Sequence, residues 1–177
     1  MRPTDDLKNE HDAVLVMLSI LAKVAERLEQ KAVVPQEHSG QMLDFLRGFV
    51  DKCHHGKEET SLFPALQAAG IPKEGGPIGV MLAEHETGRG FVRQMAAAAG
   101  KDGKVFVRAA RDYIALLTQH IAKENDVLFP MADKVLSAET QARLEREFEE
   151  IEEKVVGAGK HEQYHTMLRA LKSFYDA

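Results

Sequence analysis

The sequence predicts an all-α protein: an antiparallel up-down four-helix bundle with an additional C-terminal helix. Three observations favour this class. Apolar residues recur at spacings of three and four, the period of a helix packed on one face, along most of the 177 residues. No segment alternates β-branched and aromatic residues between hairpin dipeptides, as paired strands require. Short segments with Gly and Pro separate the periodic stretches, and short connections favour antiparallel neighbours.

Capping and breaking residues bound the first two helices. Thr4 or Asp5 is expected to cap the first helix, which ends before Pro35. The second helix starts at about Pro35 and ends near Gly70. Within it, Pro64 should kink or restart the helix because proline lacks an amide donor. The predicted helices cover about residues 4–34 and 35–67.

Glycine-rich turns delimit the next two helices. The loop 70–77 precedes the third helix, which ends before Gly100. The turn 100–103 precedes the fourth, which reaches Val135, and Ser137 is then expected to cap an acidic helix. We therefore predict one domain, with residues 1–135 as the bundle and residues 136–177 as a C-terminal helical extension packed on it.

Composition and charge exclude several classes of protein. The net charge of −5 and the lack of a Lys/Arg tract argue against nucleic acid as a partner. The longest apolar run, residues 13–22, falls short of the roughly 20 residues that span a membrane, so no membrane partner is expected. The single cysteine, Cys53, cannot form an internal disulfide, and the N-terminus does not read as a secretory signal. A cytoplasmic location is the expectation.

One segment of the sequence occurs twice. Residues 54–64 and 120–130 share His, Lys, Glu, Leu, Phe and Pro at the same spacings. A histidine on the apolar stripe of the preceding helix comes before each copy, His11 before the first and His85 before the second. The chain is therefore two helical hairpins, each with one His from its first helix and a His-x-x-x-Glu pair from its second. The pairs are His54/Glu58 and His120/Glu124.

The repeated residue types are those of a metal site. Residues four apart on an α-helix lie on one face with Cβ atoms about 6 Å apart, so the His and Glu of each pair converge. A buried carboxylate costs several kcal/mol unless it is paired or bound to metal, and no Lys or Arg shares these stripes near the carboxylates. Imidazole and carboxylate suit Fe, Mn or Zn, and two bridging carboxylates favour a pair of iron ions over one tetrahedral zinc.

At these residues the sequence resembles the hemerythrin-like, or HHE cation-binding, family. The resemblance covers roughly residues 7–133 and includes Leu-Phe-Pro after both His/Glu pairs and the Glu-His dipeptide at 84–85. It implies a four-helix bundle that holds two non-heme Fe ions bridged by carboxylates. The implied metal ligands are His11, His54, Glu58, His85, His120 and Glu124, with the two glutamates as bridges.

The resemblance leaves two classes of function open. Such centres bind O2, and bacterial members are implicated in handling oxygen, nitric oxide or peroxide, or in iron storage and sensing. The first class is a module that binds or senses O2, NO, peroxide or iron itself. The alternative is a diiron oxidoreductase that consumes peroxide or NO. The sequence carries neither an effector domain nor a cofactor motif, so catalytic residues and the redox partner stay unassigned.

Three features depart from this pattern. Oxygen-carrying hemerythrins have a further histidine one turn after the third-helix one, where this sequence has Arg89, so no fifth histidine is expected from that position. His55 lies about 100° around the helix from His54 and is expected to be solvated or outside the ligand set. A further ligand could still come from elsewhere, and the candidates are His55, Glu59, His161 and Glu162. The His-Glu-x-x-His segment leaves a remote alternative, a zinc hydrolase acting through His161, Glu162 and His165.

Overall fold

The computed structural model describes residues 1–177 as six helices without a β-strand, which confirms the all-α class. Three of the helices change between α-helical and π-helical turns along their length. In chain order the helices are α1 (Pro3–Glu29), α2 (residues 36–68), α3 (Pro77–Ala98), α4 (residues 103–135), α5 (residues 138–157) and α6 (Lys160–Tyr175). No helix combines the length and the apolarity needed to cross a bilayer.

The start of α1 differs from the prediction, and the start of α5 agrees with it. α1 begins at Pro3, where a missing amide donor costs nothing because the first amides of a helix have no partner. The cap expected at Thr4 or Asp5 is therefore wrong; Asp5 instead accepts a hydrogen bond of 3.1 Å from the Arg2 amide. The predicted cap of α5 is confirmed, since Ser137 Oγ accepts a hydrogen bond from the amide three residues on.

Both copies of the repeated segment contain a π-helical turn just before the Phe-Pro pair. The turn covers Glu58–Leu62 in α2 and Glu124–Leu128 in α4, and α-helix resumes at the following phenylalanine. A proline inside an α-helix clashes with the carbonyl four residues back. The wider π turn, with its i to i+5 hydrogen bonds, gives that carbonyl room. Pro64 therefore restarts the α-helix without ending α2.

Contacts between α1 and α4 join opposite ends of the two helices. Thr4 Oγ1 donates to Asp133 Oδ1 at 2.6 Å, and Arg111 pairs with Glu29 at 2.6 Å. The two helices are therefore antiparallel, which agrees with the short connections.

The apolar core has two parts separated by a polar layer. The larger part contains 26 buried residues from α1 to α4 and α6, with Phe49 fully buried. The smaller contains 14 and includes Phe129 and residues of α5. The side chains between the two parts are mainly histidines and glutamates, so the packing on both sides keeps this layer away from water.

Candidate metal centre

The six residues predicted as metal ligands meet in this polar layer. Each is 1% exposed or less, and together they come from α1, α2, α3 and α4. Together with His55 they form two groups within which the donor atoms all lie within 4.8 Å of one another, and Glu58 belongs to both. The first group is His11, His54, Glu58 and Glu124, and the second is His55, Glu58, His85 and His120.

Each of the two carboxylates lies between histidines of different helices. Glu58 Oε1 is 3.3 Å from His54 Nε2, and its Oε2 is 3.2 Å from His85 Nε2. One oxygen thus faces each group, as a carboxylate that bridges two cations must. The corresponding distances for Glu124 are 3.2 Å from Oε1 to His120 Nε2 and 3.0 Å from Oε2 to His11 Nε2.

Nine buried side-chain polar atoms of the protein lack a hydrogen-bond partner, and all nine belong to this cluster. They include both oxygens of Glu58 and of Glu124 and the Nε2 atoms of His11 and His54. These atoms lie close together without the geometry of hydrogen bonds. A buried unpartnered polar atom costs about 1–3 kcal/mol, so nine in one place call for a ligand. Nitrogen and carboxylate oxygen donors fit divalent transition-metal cations.

Hydrogen bonds from the outer side orient the imidazoles. The Nδ1–H of His54 donates to Glu10 Oε1 at 3.1 Å, and that of His120 donates to Glu84 Oε1 at 3.0 Å. His11 Nδ1 lies 2.7 Å from Asn125 Oδ1. A partner on Nδ1 fixes the tautomer in which Nε2 carries the free lone pair, an arrangement that metal-bound histidines almost always show.

Comparison with known proteins now identifies the family. Residues 2–132 match the hemerythrin HHE cation binding domain. The chain is a member of the hemerythrin HHE family.

Relatives of this hemerythrin-like chain include an iron-related protein. This chain is 30% identical over 134 residues to the iron-sulfur cluster repair protein YtfE of Musicola paradisiaca. The aligned residues make up 70% of this chain and 60% of that protein. This chain is 28% identical over 161 residues to uncharacterized proteins of Mycobacterium bovis and Mycobacterium tuberculosis, covering 86% of this chain and 62% of theirs. The chain thus spans about three fifths of the length of these curated relatives. No solved structure matches the chain significantly.

His55 lies in this hemerythrin-like site, although the sequence offered it only as one of several candidates for a further ligand. It is 4% exposed, its ring stacks on that of His85 at 3.7 Å, and both its nitrogens lack a hydrogen-bond partner. The expectation of a solvated His55 is wrong because Leu46–His55 is π-helical. A π turn holds more residues than an α turn, so consecutive side chains diverge by less than about 100° and His54 and His55 both face inward.

The fifth histidine makes the two groups unequal. In the second copy of the repeat the residue aligned with His55 is Ile121. One group therefore has three imidazoles and the other has two, although the two hairpins correspond at the other candidate ligands. The sequence signal for His55 was only the His-His dipeptide, which an α-helix would not have brought into one site.

Ion pairs just outside the candidate ligands, here called the outer ion pairs, also repeat between the two hairpins, and they were not predicted from the sequence. A glutamate precedes each first-helix histidine, and a lysine precedes each candidate bridging glutamate. Glu10 binds Lys57 Nζ at 3.0 Å, and Glu84 pairs with Lys123. The sequence pattern that could have indicated these pairs is a Glu-His dipeptide in the first helix of each hairpin and a Lys-Glu dipeptide in the second. The two lysines differ in burial, since the Lys57 side chain is 0% exposed and the Lys123 side chain 44%.

Without metal, protonated imidazoles balance the buried carboxylates. Burial lowers the pKa of His54, but the carboxylates of Glu58 and Glu10 outweigh it and raise the pKa to about 10. Burial likewise lowers the pKa of His85, and the nearby carboxylates of Glu58 and Glu59 outweigh it and raise the pKa to about 9. Since a metal binds only the deprotonated imidazole, metal and protons compete for the same nitrogens.

A surface cavity of about 190 Å³ reaches the three-histidine group. Arg89 stands at this cavity, where its guanidinium binds Asp51 Oδ1 at 2.8 Å and also pairs with Glu59. Arg89 is therefore a rim residue held by carboxylates. The cavity is lined by Leu46, Arg47, Val50, Asp51, His55, His85, Gly88, Arg89, Val92, Arg93 and Tyr113.

The two histidines of the His-Glu-x-x-His segment lie near each other, with ring centroids 5.3 Å apart, but no third candidate ligand joins them as a zinc site. His161 Nε2 lies 3.2 Å from Glu10 Oε2, and the exposed Glu162 pairs with Arg169. No group of candidate ligands contains both His161 and His165. The zinc hydrolase alternative therefore lacks the geometry it requires.

Proposed function

We propose that the protein binds two iron ions, bridged by Glu58 and Glu124, and uses them to bind or sense O2, NO or peroxide. The observation that carries this proposal is that every buried side-chain nitrogen or oxygen without a hydrogen-bond partner belongs to one cluster of imidazoles and carboxylates. The proposal includes the finer architecture, in which α1 to α4 form an antiparallel up-down four-helix bundle and α5 and α6 pack on it.

Each ion has its own set of imidazoles in this proposal. One ion is held by His55, His85 and His120, and the other by His11 and His54. Two shared carboxylates favour a pair of ions over a single tetrahedral zinc, and the mixed N/O donor set suits iron. The name of the relative YtfE, an iron-sulfur cluster repair protein, supports a role connected with iron.

The chain's own residues control access to the centre. The cavity of about 190 Å³ exceeds the roughly 30 Å³ that one water occupies, so it admits a diatomic molecule or peroxide beside His55 and His85. Arg89, paired with Asp51, fixes one wall of this entrance. The two apolar core parts exclude water from the remaining sides. When bound, the iron pair would supply exchangeable coordination positions and electrons.

Separate additions of O2, NO and H2O2 to the reduced, iron-loaded protein test this function. We expect at least one of them to change the optical spectrum at a stoichiometry of one per iron pair. A change that reverses on removal of the gas supports binding or sensing, whereas repeated consumption of NO or H2O2 supports the oxidoreductase alternative. Iron-loaded protein whose spectrum responds to none of the three would contradict the proposal.

Three features stay predictions from the sequence. They are the cytoplasmic location, the absence of nucleic-acid and membrane partners, and the domain bounds 1–135 and 136–177. Buried Cys53 suits a reducing compartment because a free thiol persists there.

A further inference from the structure

The two outer ion pairs described above are equivalent in sequence but not in environment. Glu10 and Glu84 each accept a hydrogen bond from Nδ1 of a candidate ligand histidine and each bind a lysine. The pair on the three-histidine side is open to solvent at Lys123. The pair on the two-histidine side is closed, since Glu10 is 3% exposed and Lys57 is fully buried.

Residues of α5 and α6 close that pair. Glu152 Oε1 of α5 accepts from Lys57 Nζ at 2.6 Å. His161 of α6 lies 3.2 Å from Glu10 Oε2, while Glu10 Oε1 holds His54. The His161 ring also stacks on Phe49 with centroids 4.8 Å apart, which fixes its position. Both helices lie beyond residues 2–132, the part of the chain that matches the family.

The cluster under α5 and α6 is an ion-pair network. Glu10, Cys53, Glu152 and His161 have the spacing of a metal site. The Lys57 ammonium, however, already binds Glu10 at 3.0 Å, Glu152 at 2.6 Å and Asp6 at 2.9 Å. Each of these carboxylates has a partner, and none of their oxygens is among the buried atoms without one. A cation would have to displace a buried lysine, so this cluster has no need of one.

We propose that His161 and Glu152 act as positioning residues on the two-histidine side, so that the iron of His11 and His54 is released more slowly than its neighbour although it has one imidazole fewer. The inference rests on the proposed function. His161 holds Glu10 in the orientation that receives the Nδ1–H of His54, and Glu152 keeps Lys57 in place. Outer hydrogen bonds of this kind strengthen a metal-bound histidine, and burial strengthens the hydrogen bonds.

Release of Fe(II) from the full-length protein to a colorimetric chelator, without oxygen, tests the inference. The wild type should release its iron in two phases of equal size. His161→Leu should speed the slow phase about 10-fold, the lower end of what loss of such a partner costs. His161→Gln keeps a donor toward Glu10 and should restore most of the slow phase. Glu152→Gln should speed the same phase, while Glu84→Gln should speed only the fast one.

A control variant separates positioning from general loosening of α6. Tyr175→Phe removes a different α6 hydrogen bond, that between the Tyr175 hydroxyl and His38 Nδ1 at 2.8 Å, far from the metal centre. It should leave both phases unchanged. Equal acceleration of both phases by His161→Leu, or the same effect from Tyr175→Phe, would overturn the inference. So would a single phase in a wild type that holds two irons, which leaves the proposed function intact. A wild type that takes up no iron pair would overturn both.

Discussion

Glu58 and Glu124 face imidazoles alone, and no lysine or arginine reaches their oxygens. Burial raises the pKa of Glu58, but the neighbouring His54 and His85 outweigh it and hold the pKa well below the ordinary value. The carboxylate is therefore ionised inside the protein core, and its charge has to be balanced by protonated histidines or by metal.

Replacement of either bridging carboxylate tests its role in holding metal. Glu58→Gln and Glu124→Gln keep the shape of the side chain but remove the charge that balances two cations. Each should weaken iron binding by at least about tenfold while the circular dichroism of the helices is kept. Glu149→Gln, at an exposed glutamate of α5, is the matched control. Full iron content in both bridging variants would show that the assignment is wrong.

His55 gives a prediction in which stability and metal affinity move in opposite directions. His55→Ile copies Ile121, the aligned residue of the second repeat. It removes two buried nitrogens without partners, so the metal-free protein should melt at a higher temperature. The same change should weaken binding of one of the two irons at least about tenfold. His38→Ile, at a half-buried histidine of α2 that pairs with Tyr175, is the control for iron affinity. Unchanged affinity in His55→Ile would remove His55 from the ligand set.

Among the candidate ligands, those that repeat with the α-helical period could be predicted from the sequence. The pairs His54/Glu58 and His120/Glu124 came from the spacing of four, and His11 and His85 from their place on apolar stripes. Their convergence in the structure follows that pattern. His55 and the orienting Glu10 could not be reached in this way. The first depends on a π turn, and the second depends on which histidine of another helix its carboxylate meets.

Among the elements, α6 is the helix whose contact with the bundle depends on a single glycine. A Cβ at Gly48 of α2 would overlap the hydroxyl of Tyr164 and lie 2.8 Å from its Cζ. Tyr164 is buried, and its ring packs edge-on against Phe45 with centroids 5.7 Å apart. The ring therefore cannot move aside freely, and close approach of the two helices requires glycine.

Gly48→Ala should destabilise the protein although alanine is the better helix former. The overlap with Tyr164 should lower the free energy of unfolding by about 1–3 kcal/mol, measured by urea denaturation. Gly40→Ala, in the same helix with open space around it, should instead raise it by up to about 1 kcal/mol. In a double-mutant cycle, Gly48→Ala should cost less when Tyr164 is already alanine. Additive effects would show that the two residues do not limit helix approach.

The prolines of the two Phe-Pro pairs illustrate a limit of helix prediction. Pro64 was expected to kink or restart α2, and the structure restarts the α-helix after a π turn at Glu58–Leu62. The sequence indicates a disturbance because proline lacks a donor and clashes with the preceding turn. Whether the helix accommodates the proline by a kink or by a wider turn depends on the packing around the proline.

For the whole molecule, the protonated histidines make the stability of the metal-free protein dependent on pH. The pKa values of His54 and His85 are raised to about 10 and about 9, above the unfolded value of about 6.5. The folded state therefore binds more protons between these values, and this stabilisation is complete below about pH 6.5 and lost toward pH 10. Burial and the charge of His85 lower the pKa of His55, which opposes folding below about pH 6.5.

Urea midpoints of the metal-free protein should consequently fall as pH rises from about 7 to about 10. The iron-loaded protein is the control, because its ligand histidines carry no exchangeable Nε2 proton and its midpoint should change less. At acid pH the loaded protein should instead release its metal. Midpoints of the metal-free protein that stay constant up to pH 10 would contradict the ion pairs assigned to His54 and His85.

The C-terminal extension shows what the sequence leaves undetermined at the largest scale. Its helices were expected from their apolar stripes and from Ser137 and the following glycines. Their contacts were not, since Glu152 reaches Lys57 across 95 residues of chain and His161 reaches Glu10 across 151. The spacing of apolar residues predicts which face of a helix is buried, but it does not predict which polar groups of other helices that face contacts. The His-Glu-x-x-His pattern left a zinc site as a remote alternative, and the structure places His161 beside Glu10, next to the candidate metal centre.

The metal content of the protein tests the central claim most directly. Protein reconstituted with Fe(II) without oxygen, freed of excess metal and analysed for all transition metals, should contain two irons per chain. Zinc offered together with iron should not reduce the site to a single ion, because both groups share Glu58. One zinc per chain and no iron, from a solution in which iron is plentiful, would contradict the claim.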